Sequence, residues 1–228
     1  MHNENTNKTD NSNDIKTLEA EIREAITNGS NIQETVHHLT LKAMNAHSID
    51  LESLQRIITA VMQGVHDGAE QRLQQVASQT QAAKSQITEA VSGLDSALAG
   101  FAQASKLAIE EAAGQAKKFS DKELNRTRSD LESLENLFLD TLHHTATTAQ
   151  GLVADILHDL NRHAKNNGTA VGSQLHETLA IFAQQITSVG HAQLETGASL
   201  AHTTADFIGK IASGVMAGIN DQAKNGKH

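Results

Sequence analysis

Three carboxylate-x-x-His pairs stand out in this chain: Glu34 with His37, Asp140 with His143, and Asp155 with His158. On a helix that spacing puts both side chains on one face, as in di-iron carboxylate proteins, where two such pairs face each other beside two further inward carboxylates. His144 and Asp155 nearly share a face, but they are three turns apart, about 16 Å along one helix. The helix that carries them therefore cannot close a metal site alone. Glu34 and His37 belong to a different helix and would have to be brought in by the fold. The expectation is no metal, with these pairs as solvated polar faces. Thirteen His against a net charge of −9 give a different property. Imidazole titrates near 6.5, so mild acid would remove most of the negative charge.

Other chemistry is missing from the pattern. There is no phosphate-cradling Gly motif, no Gly-x-Ser-x-Gly elbow and no His-Glu-x-x-His. Zero Cys removes disulfides, thiolate zinc sites and thiol catalysis together. The acidic balance disfavours nucleic acid, whose phosphates are bound by Lys and Arg. Polar, regular helices rarely enclose the apolar pocket that a substrate needs. The expectation is a non-enzymatic protein with no cofactor and no small-molecule substrate.

The elements behind these residues read as helices. The 228 residues include no Pro, Trp or Tyr and only five Phe. Pro costs about 3 kcal/mol inside a helix, and its absence suits long uninterrupted helices with few loops. The shortage of aromatics and β-branched runs argues against a sheet. Residues 1–13 are polar and read as a disordered tail. Ile15, Leu18, Ile22 and Ile26 then follow helical spacing up to Gly29. Ser30 and Gln33 have capping-box form for a second short helix through Ile32, Val36, Leu39 and Ala43, and Ser48 or Asp50 can cap the third helix.

From Leu51 through Leu54, Ile58, Val61, Val65, Leu73, Val76, Ala83, Ile87, Ala90, Leu94, Ala97, Phe101, Ala104 and Ala108 the apolar residues mostly alternate three- and four-residue steps. Such a seam suits coiled-coil-like packing. An unbroken helix over 51–118 would be about 100 Å long, with Gly64, Gly68, Gly93 and Gly100 as kink points. Leu124, Leu131, Leu134, Phe138, Leu142, Ala149, Leu152, Ile156 and Leu160 mark a fourth helix. The Lys165-Asn166-Asn167-Gly168 turn and Thr169 introduce the last one, through Val171, Leu175, Phe182, Ile186, Val189, Leu200, Phe207, Ile211 and Val215. Short loops make neighbouring helices antiparallel. The expected fold is all-α: a single domain over 14–220, an elongated antiparallel bundle of long amphipathic, coiled-coil-like helices with two short N-terminal helices, followed by a disordered polar tail over 221–228.

Small residues recur every fourth position at Ser92, Ser96, Gly100, Ala104, Ala108, Ala112 and Ala116. They do so again at Gly197, Ala201, Ala205, Gly209, Ser213 and Ala217. Rows of this kind let a partner backbone approach closely. Because each four-residue step advances about 40°, two or three successive members face any one neighbour. From Thr178 to Asn220 the charged residues are Glu195, Asp206 and Lys210 alone. The span 207–219 is too short to cross a bilayer but suits an apolar interface. The candidate interface residues are Gly197, Ala201, Ala205, Phe207, Ile208, Gly209, Ile211, Gly214, Val215, Gly218 and Ile219. The same stretch has two other readings: a buried core helix, or an element that inserts into a membrane and perforates it.

Several segments carry a resemblance. They are Leu39-Thr40-Leu41-Lys42-Ala43-Met44, Ala90-Val91-Ser92-Gly93-Leu94-Asp95, the run from Ser105 to Gly114, Leu137-Phe138-Leu139-Asp140-Thr141-Leu142, and Gly168-Thr169-Ala170-Val171-Gly172. Together, over about residues 15–220, they resemble an uncharacterised family of all-helical bacterial proteins classed as a domain of unknown function. The resemblance implies a bacterial helical protein and transfers no site residue. In composition the chain is also similar to phasins, the helical proteins that coat polyester storage granules. The expectation is a cytoplasmic, self-associating scaffold or coat protein, a homo-oligomer that binds an apolar granule or membrane surface through its C-terminal helix. The alternatives are a coiled-coil scaffold for protein partners only and a membrane-perforating protein.

Overall fold

A computed structural model describes residues 4–46, 50–75, 80–114 and 121–190. Among the described residues the chain is all-α, without a strand. It forms α1 (Glu4–Asn28), α2 (Ile32–Ala46), α3 (Leu51–Gln75), α4 (Thr80–Gly114), α5 (Asp121–Thr148), α6 (Gly151–Asn167) and α7 (Ala170–Gly190). α1 extends into the polar N-terminal stretch expected to be a tail, and its buried positions among the described side chains begin at Leu18.

The described residues fall into two compact units. One draws on the described residues within 4–97 and 136–169, the other on those within 98–135 and 170–190.

In the first unit α1 packs along α3. Leu18, Ile22 and Ile26 of α1 are buried, as the spacing predicts, and so are Leu54, Ile57, Ile58, Val61, Met62 and Val65 of α3. Burying an aliphatic side chain of this size contributes roughly 1.5–3 kcal/mol. The junction between α1 and α2 differs from the capping box expected at Ser30. Gly29 (φ 72°) and Asn31 (φ 50°) both adopt left-handed conformations, which Gly and Asn tolerate best, and α2 starts only at Ile32. Within α2 the buried face is turned by one position. Leu39 and Ala43 are half-buried, while Thr40, Leu41 and Met44 are buried. Thr40 can be interior because its hydroxyl donates to the Val36 carbonyl at 2.7 Å. Asp50 caps α3 as expected, its Oδ1 accepting from the Ser53 amide at 2.7 Å.

Two long helices expected from the seams are each divided. The first yields α3 and α4, with 76–79 outside the described residues. Arg72 of α3 and Gln86 of α4 both reach Gly29: a Cβ there would lie 3.9 Å from an Arg72 terminal nitrogen and 2.6 Å from Gln86 Nε2. In one straight helix those two residues would be about 21 Å apart, so the chain reverses between them. The second yields α5 and α6, split at Ala149-Gln150. Gln150 is extended (φ −124°, ψ 155°) and Gly151 has φ 57°. The end of α5 is a run of threonines whose hydroxyls bond back to the helix. Thr145 donates to the Thr141 carbonyl at 2.9 Å, and Thr147 and Thr148 to the His144 carbonyl at 2.8 and 3.1 Å. Such back-bonding competes with the helical ladder, and the left-handed Gly151 completes the reversal.

The second unit contains the end of α4, the start of α5, and α7. Leu98, Phe101, Ala102, Ala104, Ser105 and Ala108 of α4 are buried, as are Leu131 and Leu134 of α5 and Val171, Leu175, Thr178 and Phe182 of α7. The fully buried Thr178 donates from Oγ1 towards the Ala102 carbonyl at 3.1 Å and the Gln174 carbonyl at 2.9 Å, tying α7 to α4. Gly168 (φ 82°) forms the turn before α7, as its sequence context predicts.

Candidate functional site

The geometry most developed in the described residues is close helix contact at glycines. Gly64 and Gly68 of α3 were expected as kink points, but α3 runs through both. Each lies under the backbone of α1. A Cβ on Gly64 would sit 2.6 Å from the Glu19 carbonyl oxygen and 2.9 Å from Ile22 Cβ; one on Gly68 would sit 2.7 Å from Ile26 Cβ and 2.9 Å from the Arg23 oxygen. The pairs advance together along both helices, so α1 and α3 run parallel. Arg72, one turn further, donates to the Thr27 carbonyl at 3.1 Å, where a cation also suits the carbonyl end of α1. Gly93 is likewise no kink. It meets α2, where a Cβ would collide with the Gln33 carbonyl oxygen, and α4 continues through it. The signal was present as Gly64-x-x-x-Gly68, the i, i+4 spacing of close helix pairs. Of the small-residue row on α4, Ala104 and Ala108 are buried.

The proposed interface residues Gly197, Ala201, Ala205, Phe207, Ile208, Gly209, Ile211, Gly214, Val215, Gly218 and Ile219 lie outside the described residues, as does the small-residue row from Gly197 to Ala217.

The carboxylate-His pairs part company. Glu34 and His37 stay on α2. Burial, helped by the neighbouring His38, pushes the His37 imidazole below its ordinary value of 6.5, with Glu34 opposing. The histidines of the other two pairs are brought together by the α5–α6 reversal. The ring centres of His143 and His158 are 6.2 Å apart with the planes at 64°, although one straight helix would separate these residues by about 22 Å. His143 Nδ1 lies 3.2 Å from Asn161 Nδ2, and Asn161 is 5% exposed. Spacing along the chain carries no hint of Asn161. Among the described residues no group of three or more His, Cys, Asp or Glu is arranged to hold a metal ion. Elsewhere His66 on α3 sits 2.9 Å from Asp67 Oδ1 and 3.3 Å from Glu70 Oε1.

A family model described as a family of unknown function (DUF6781) matches residues 8–225. That is nearly the whole chain, which therefore belongs to this family. Neither a curated protein nor a solved structure matches it. No helix among the described residues is long and apolar enough to cross a membrane.

Proposed function

We propose that this chain is a non-catalytic, self-associating helical protein of the bacterial cytoplasm that coats an apolar surface, in the manner of phasins. In this reading the helices form an antiparallel bundle with coiled-coil-like seams, and the segment 197–219 makes the surface contact. The observation that carries it is how completely the described helices use their apolar side chains on one another. Among the described side chains Leu107, at 50% exposure, is the one large hydrophobic left exposed. In this reading the apolar binding face comes from elsewhere in the chain, and 191–220, with Glu195, Asp206 and Lys210 as its charged residues, is where the sequence supplies it.

Deleting 197–228 tests this. The truncated chain should keep the helicity of the remaining segments and lose binding to apolar granules; binding equal to that of the full chain would refute the role. A second reading is a scaffold that binds protein partners only, in which the C-terminal apolar helix is buried core. Under that reading the full chain binds neither granules nor vesicles.

A further inference from the structure

We propose that His143 and His158 form a two-histidine clip for a divalent transition-metal ion, Zn2+ above all, across the reversal between α5 and α6. The inference is independent of any surface-binding role. Imidazole is a preferred zinc ligand, and a zinc–nitrogen bond of about 2.0–2.1 Å places each ring centre about 3 Å from the metal. Two rings on one ion are therefore separated by roughly 5–6 Å, depending on the angle at the metal. The observed 6.2 Å is at the open end of that range. Both side chains are exposed, so a closing movement of about 1 Å needs only small rotations about their side-chain bonds. His158 makes no hydrogen bond among the described residues that would hold either ring nitrogen back.

Asn161 supplies the second observation. Its side chain is buried, its Nδ2 faces His143 Nδ1, and its Oδ1 is buried without a hydrogen-bond partner. The two ends of an amide are assigned from their hydrogen bonds. As placed, Nδ2 donates to Nδ1 of His143 and the proton sits on Nε2; turned over, Oδ1 would accept from Nδ1–H of His143 and Nδ2 would take the buried place now held by Oδ1. That tautomer leaves the Nε2 lone pair free for a metal, the arrangement by which supporting groups orient histidine ligands. Asp140 and Asp155 lie one turn before the two histidines on their helices and add negative charge around a bound cation. Because the clip provides two protein ligands, water or an external ligand completes the zinc coordination, and the ion joins α5 to α6.

The test is a calorimetric Zn2+ titration of the full chain beside His143→Ala, His158→Ala, the double variant and, as a control elsewhere, His176→Ala. Removing even a supporting partner costs 10–100-fold in metal affinity. Each clip variant should therefore lose at least about tenfold, the double variant little more, and His176→Ala nothing. Zn2+, but not Mg2+, should raise the melting temperature of the wild type and leave that of the double variant unchanged. Circular dichroism of each variant checks that it is folded. Zn2+ affinity unchanged in both single variants, or no Zn2+ binding by the wild type, would overturn the proposal.

Discussion

Gly93 of α4 rests directly on the backbone of Gln33 in α2, whose carbonyl oxygen occupies the space a Cβ would need, with Val36 Cβ 3.1 Å from the same point. A methyl group there meets backbone, which cannot rotate out of the way as the end of a side chain can. Two effects compete in Gly93→Ala. Helix propensity favours Ala by about 1 kcal/mol, while overpacking costs about 1–3 kcal/mol. Overpacking should win, with a net loss of about 1 kcal/mol and a larger one for Gly93→Val. Urea denaturation checks this through the midpoint; a midpoint raised by Gly93→Ala would contradict the contact.

Gly64 and Gly68 form one continuous bed for α1, and their substitutions should not add. Gly64→Ala forces α1 away from α3, which relieves part of the clash that Gly68→Ala would otherwise create. Neighbouring sites couple by about 0.5–3 kcal/mol. The double variant should be less destabilised than the sum of the single ones. Strict additivity in a denaturation cycle would argue that the two glycines act separately.

Thr178→Val in α7 keeps the side chain's shape and removes its hydroxyl from the Ala102 and Gln174 carbonyls. A typical net hydrogen bond contributes about 0.5–1.5 kcal/mol, so a loss of about 1 kcal/mol is expected. Thr178→Ser keeps the hydroxyl and loses the buried methyl, so it separates the two contributions. A Thr178→Val chain as stable as wild type would show that the hydroxyl contributes nothing.

His37 gives a pH dependence of defined sign. Its folded-state value is depressed by burial and by His38, so below about 6.5 the unfolded chain takes up a proton that the folded chain resists. The unfolded state then binds more protons and stability falls as pH falls. The loss begins near 6.5 and continues down to the lower folded value. His37→Gln should flatten the stability–pH curve over that window and change it little above pH 7.5. Parallel curves for the two proteins would contradict the assignment.

The helical class and most core positions were legible in the sequence because burial follows one face at a time. Every seam position of α4 from Ala83 to Ala108 is buried. The chain reversals were not legible, and the reason is physical. Both arms of a helical hairpin bury apolar residues against a common core, so a three- and four-residue rhythm continues through the turn without interruption. Ala149 is itself buried although it lies in the turn between α5 and α6. The local cues were Gly151 and the threonines at 141, 145, 147 and 148, which periodicity alone does not weigh. Missing that reversal also hid the meeting of His143 and His158. The glycines mislead for a related reason: a Gly inside a helix signals a bend or a close neighbour, and only the positions of Glu19, Ile22, Arg23, Ile26 and Gln33 decide which.

The surface-coat account is tested most directly by co-sedimentation of the full chain with lipid-coated polyester granules and with plain vesicles, with helicity followed by circular dichroism. The account predicts binding to the granules with helicity unchanged or increased. Absence from both pellets would contradict it, and would place the apolar C-terminal segment inside the protein or against a protein partner.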